Sequence, residues 1–119
     1  MMPQIDTYPQ NSLPPGFHYP PRFLEVIGGL KQDSYYPWFF FRAQGEVGQL
    51  RLSLGMAAPK KLVPFASLES GDGDVACFDG TDTSGNPAVI MMITDGSGRH
   101  YGFVDFDDWL ARATADSNA

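Results

Sequence analysis

Six carboxylates, Glu69, Asp72, Asp74, Asp79, Asp82 and Asp95, fall within residues 62–98, a stretch that holds no lysine or arginine. Carboxylates gathered in this way suit two kinds of chemistry. They coordinate a hard cation through oxygen, or they meet a basic protein surface and speed its approach. The rest of the chain holds eight acids and eight bases, so this one stretch supplies the whole formal charge of −6. Such a surface repels a phosphate backbone, which argues against nucleic acid as the partner.

The segment Ser70-Gly71-Asp72-Gly73-Asp74 has the look of a calcium loop. An EF-hand loop requires glycine at its sixth position and glutamate at its twelfth. Counted from Asp72, those positions hold Cys77 and Thr83, and the pattern fails. A calcium or small-ligand site of another kind, built from Asp72, Asp74, Asp79 and Asp82, stands as the alternative to a partner-facing surface. Plain solvated turns are the third reading.

Catalytic constellations are harder to assemble. His18 sits in a Pro-rich region and His100 beside a turn, neither with a motif around it. A general base needs a partner within hydrogen-bond reach. Cys77, the single cysteine, lies between Ala76 and Phe78 on an apolar strand, where a thiol is inert packing. Gly96-Ser97-Gly98 lacks the lysine of a phosphate loop, and no dinucleotide fingerprint follows a strand. The residues point to a binding protein without a cofactor, not an enzyme. Trp38 and Tyr101 are the aromatic anchors such a protein would offer.

These side chains need elements to hold them. Residues 1–21 contain six prolines, so 1–19 is expected to form an extended arm that can lie against the domain through Tyr8, Leu13, Phe17 and Tyr19. Pro20-Pro21 suits a helix start, and Phe23, Leu24, Ile27 and Leu30 give its apolar stripe, closed at Gly28-Gly29. Tyr35 to Phe41 is β-prone. Gly45 to Gly48 reads as a hairpin turn, and Leu50, Leu52 and Leu54 alternate with polar residues as a half-buried strand would. Short strands follow at Leu62–Phe65 and Val75–Phe78. Ala88–Thr94 reads as a central strand buried on both faces, and Tyr101–Val104 as its return. Asp105 caps a closing helix whose inner face is Phe106, Trp109, Leu110 and Ala113. The expected fold class is α+β, an antiparallel sheet of about five or six short strands with flanking N- and C-terminal helices. A single domain spans 20–116.

The N-terminus lacks a basic n-region and an apolar h-region, and the longest apolar run, Ala88–Ile93, is too short to span a bilayer. The sequence is thus expected to be cytoplasmic, with no membrane partner.

Residues 62–110 carry a further pattern. Leu62-Val63-Pro64-Phe65-Ala66, Gly71-Asp72-Gly73-Asp74, Cys77-Phe78-Asp79, Pro87-Ala88-Val89 and Phe106-Asp107-Asp108-Trp109-Leu110 together resemble the SUKH superfamily. Leu13-Pro14-Pro15 and Phe23-Leu24 resemble its first helical region. The resemblance implies an α+β sheet with flanking helices. It also implies non-catalytic bacterial immunity proteins that neutralise toxins, often nucleases, and fungal interaction hubs. Joined to the acidic stretch, it gives an immunity-type protein that meets a basic toxin partner. The contacts would be Glu69, Asp72, Asp74, Asp79, Asp82 and Asp95, with Trp38 or Tyr101 as anchor. A self-associating protein, paired through the aromatic Tyr35–Phe41 strand, is the remaining alternative.

Overall fold

The computed structural model describes residues 7–28, 38–40, 45–58, 60–68, 74–93 and 101–118. Helix α1 spans Pro21–Gly28, strand β1 Trp38–Phe40, helix α2 Glu46–Met56, and strands β2 and β3 Leu62–Leu68 and Asp74–Asp79. Strands β4 (Val89–Ile93) and β5 (Gly102–Phe103) follow, and α3 (Phe106–Ser117) closes the chain. The five strands form one sheet in sequence order, each pairing antiparallel with the next. The α+β expectation is met.

One face of the sheet carries an aromatic core. Phe65 on β2 stacks on Phe78 of β3 at 4.3 Å between ring centroids, and Trp109 of α3 meets Phe65 edge-on at 4.9 Å. Phe23 from α1 contacts Phe65, Phe78 and Phe106 edge-to-face. Offset and T-shaped pairs of this kind add about 0.5–1.5 kcal/mol each beyond the area they bury. Helix α3 follows its sequence pattern closely. Asp105 accepts the Asp108 amide at 2.9 Å, and Phe106, Trp109, Leu110 and Ala113 are the buried face. In α1 the inner face is Phe23 with the half-buried Val26 and Ile27, while Leu24 points outward at 47% exposure. Leu30 and Gly29 lie outside the described residues.

The Pro-rich segment from Thr7 onward packs on this core. Tyr8, Leu13 and Phe17 are buried, and the Tyr8 hydroxyl donates to the Gly48 carbonyl of α2 at 2.6 Å. Gly80 shows how close the approach is. A Cβ there would stand 2.6 Å from the Lys61 carbonyl oxygen and 2.8 Å from the Pro14 ring.

Two element assignments are corrected. Residues 46–56 are helix, not a hairpin turn and strand. Leu50 and Leu54 lie four apart, on the outer side of α2, and Leu52 between them turns inward and is 8% exposed. Alternation over so few residues fits either period, and Leu, Gln, Arg and Met favour helix over strand. The second correction concerns the centre of the sheet. Ala88–Thr94 was expected to be the doubly buried strand, yet β4 is fourth of five and Ile90, Met92 and Ile93 are half exposed. The strand buried at every residue is β3. Pro64 interrupts the β2–β3 ladder, whose register shifts between Pro64 and Ala66 and then resumes.

Candidate partner-binding surface

The carboxylates predicted to act together are separated by the sheet. Asp74 opens β3 and Asp79 closes it. Five residues of extended chain put them roughly 17 Å apart, so one cation cannot be held by both. That geometry removes the calcium site drawn from Asp72, Asp74, Asp79 and Asp82. Among the described residues, no three His, Cys, Asp or Glu side chains are grouped to hold a metal.

At the Asp74 end, β2 finishes at Leu68, β4 at Ile93, and Tyr101 precedes β5. Asp74 is buried, with 3% of its surface exposed, and accepts the Tyr101 hydroxyl at 2.5 Å. The bond ties the β4–β5 return to β3. Glu69, Asp72 and Asp95 lie outside the described residues.

At the opposite end, Asp79 organises the β3–β4 connection. Its carboxylate accepts the Thr81 amide at 2.9 Å and the Thr81 hydroxyl at 2.6 Å, and Lys60 Nζ stands 3.4 Å away. Burial pushes the Asp79 pKa up, but the two Thr81 bonds and the Lys60 charge outweigh it and hold the carboxyl below its ordinary value. Asp82 accepts from the Ser84 amide at 2.9 Å, and bonds from the Ser84 side chain and backbone hold its pKa below the ordinary value. The chain of bonds continues outward. Asn86 donates its backbone amide to Ser84 Oγ and its side-chain amide to Asp105 at 3.3 Å.

Sequence reasoning missed that last link. Asp105, Asp107 and Asp108 read as a helix cap and first turn, which they are. The β3–β4 connection reaches the first of them through Asn86, whose side-chain amide bonds Asp105. Asp108 accepts the Val104 amide at 3.0 Å, and Arg22 approaches Asp107 to 3.8 Å.

The proposed aromatic anchors divide. Trp38 sits in the core at 3% exposure, edge-on to Trp109 at 5.5 Å, and donates Nε1 to Asp116 at 2.8 Å. Its side chain therefore offers no contact surface, a correction that follows from the inward alternation of β1. Phe40 is buried as well, so neither it nor Trp38 can face a second copy from the Tyr35–Phe41 strand. Tyr35 and Phe41 themselves are outside the described residues. Tyr101 remains half buried, its hydroxyl committed to Asp74.

Cys77 is fully buried, and burial pushes its thiol far above the usual range. Arg51 lies near enough to oppose that shift, a basic neighbour that the sequence did not reveal, and burial still dominates. His18 is exposed. Among the described residues, no helix is long and apolar enough to cross a membrane.

Comparison with curated proteins and with solved structures returned no significant match. A family model does match, over residues 13–112, and its span takes in the Pro-rich segment from Leu13 onward, the sheet and most of α3. On that match the chain belongs to the SMI1/KNR4 family (SUKH-1).

Proposed function

We propose that this chain is an immunity-type protein that neutralises a basic toxin, of the nuclease class, by stoichiometric binding without catalysis. The observation that carries this reading is the family match over residues 13–112, since SUKH proteins are known as immunity proteins for polymorphic toxins. The charge distribution supports the choice of partner. Residues 62–98 hold six acids and no base, and a basic protein is drawn to such a surface. Asp82, on the β3–β4 connection that Asn86 ties to Asp105, is one candidate contact. Glu69, Asp72 and Asp95, contacts expected from the sequence, lie outside the described residues and are the other candidates. Asp74 and Asp79 act behind these surfaces, holding the Tyr101 return and the β3–β4 connection in place. The acids would steer encounter and pair with Lys or Arg of the partner.

The test is capture of the partner on the intact chain, followed by binding measurements over a range of salt. A basic partner, inhibited at one-to-one stoichiometry with an on-rate that falls steeply with ionic strength, is the expected result. Neutralising Asp82, or Glu69, Asp72 and Asp95, then shows which set makes contact. An affinity indifferent to salt and to both sets would end the acidic-surface reading.

A further inference from the structure

We infer that the turn at residues 14–17 is a strap that positions the β3–β4 connection and so regulates the partner contact at Asp82; this rests on Asp82 being such a contact, as proposed above. Pro14-Pro15-Gly16-Phe17 meets the requirements of a type II turn. Proline stands second, glycine stands third with φ +78°, and the Phe17 amide donates to the Pro14 carbonyl at 3.1 Å. A turn encoded in this way holds its shape locally.

The strap meets the connection on both sides of Asp82. A Cβ on Gly16 would stand 2.9 Å from Thr83 Cγ2, and a Cβ on Gly80 would stand 2.8 Å from Pro14 Cγ. Neither contact has room for another methyl group. Phe17 then enters the core, its ring 6.1 Å from that of Phe78, the residue before Asp79. Further back, the Tyr8 amide donates to the Tyr19 hydroxyl at 3.1 Å, which closes the strap on itself.

Within the connection, the bonds from Thr81, Asp82, Ser84 and Asn86 run between residues two or three apart. Bonds of such short range leave a loop at the low end of local stability. The strap adds packing from a distant part of the chain, so strap and connection open together. A partner that binds the ordered connection better than the loose one also favours the docked strap, and release of the strap weakens that partner.

Amide hydrogen exchange on the full chain, followed residue by residue by NMR, tests the coupling. It needs no partner, so its outcome is separate from whether Asp82 meets a toxin. Gly16→Ala sets a methyl group against Thr83 at a positive φ. Exchange at Phe17, Thr81 and Ser84 should speed up by about tenfold, with Val75 and Cys77 in the sheet near the parent rate. From the other side, Asp79→Ala removes the acceptor of the Thr81 bonds, and Phe17 should speed up more than Val75 and Cys77 do. Thr81 and Ser84 at parent rates in Gly16→Ala would overturn the proposal, and so would an equal gain at all these amides. A Phe17 rate that merely follows Val75 and Cys77 in Asp79→Ala would overturn it as well.

Discussion

Asp79 accepts two bonds from Thr81 and faces Lys60, and removing its carboxylate leaves those donors without a buried acceptor. Asp79→Ala should cost about 1–3 kcal/mol near neutral pH, measured by urea unfolding. The pH dependence has a definite sign. The native pKa of Asp79 lies below its ordinary value of 3.8, so its contribution is complete above that value. It is lost as pH falls through the depressed native pKa. Asp79→Asn should therefore lie below the parent at about pH 7, with the gap closing as pH falls through the depressed native pKa. Parallel curves across that span would mean that the carboxylate charge does not matter. None of this was legible in the sequence, where Asp79 looked like one more loop acid. Burial of a polar side chain is decided by what packs over it, and Lys60 arrives from nineteen positions away.

Among the elements, α3 was the most legible and α2 the least, for the same physical reason. Asp105 caps α3 locally, and its apolar residues recur at three, four and seven, a spacing that fits helix alone. Helix α2 has Gly45 at its N-cap, with no side-chain cap bond, and apolar residues on opposite sides. Its period is ambiguous, and packing decides. Two variants separate helix from strand there. Leu52→Ala removes a buried side chain and should cost about 2–3 kcal/mol. Leu50→Ala, at an exposed site, should stay within about 0.5 kcal/mol. Were 46–56 an edge strand, Leu50, Leu52 and Leu54 would share one face and respond alike. At the cap, Asp105→Ala should lower stability by about 1 kcal/mol, read as a fall of about 3–5 °C in Tm.

For the molecule as a whole, antiparallel order and helix–sheet layering followed from the run of short strands between helices. The grouping of acids did not. Sequence proximity placed six carboxylates on one surface, whereas β3 sends Asp74 and Asp79 to opposite ends of the sheet. A strand spends its length separating its termini, so a charge run that spans a strand is never one patch. The Pro-rich segment also belongs to the folded unit. Phe17 is fully buried and lies 6.1 Å from the Phe78 ring. Phe17→Ala should cost about 3–5 kcal/mol in urea unfolding, while a loose arm would give almost no change.

Cys77, the single thiol, lies at the middle of the strand that is buried at every residue. Thiol reagents attack the thiolate, so the native state should be silent to them. Its modification rate then counts only those moments when the sheet comes apart. The wild-type chain thus carries its own clock for opening, readable by mass in dilute buffer and without any added label. A bound partner that protects the sheet should slow that clock, and one that merely touches a loop should leave it running.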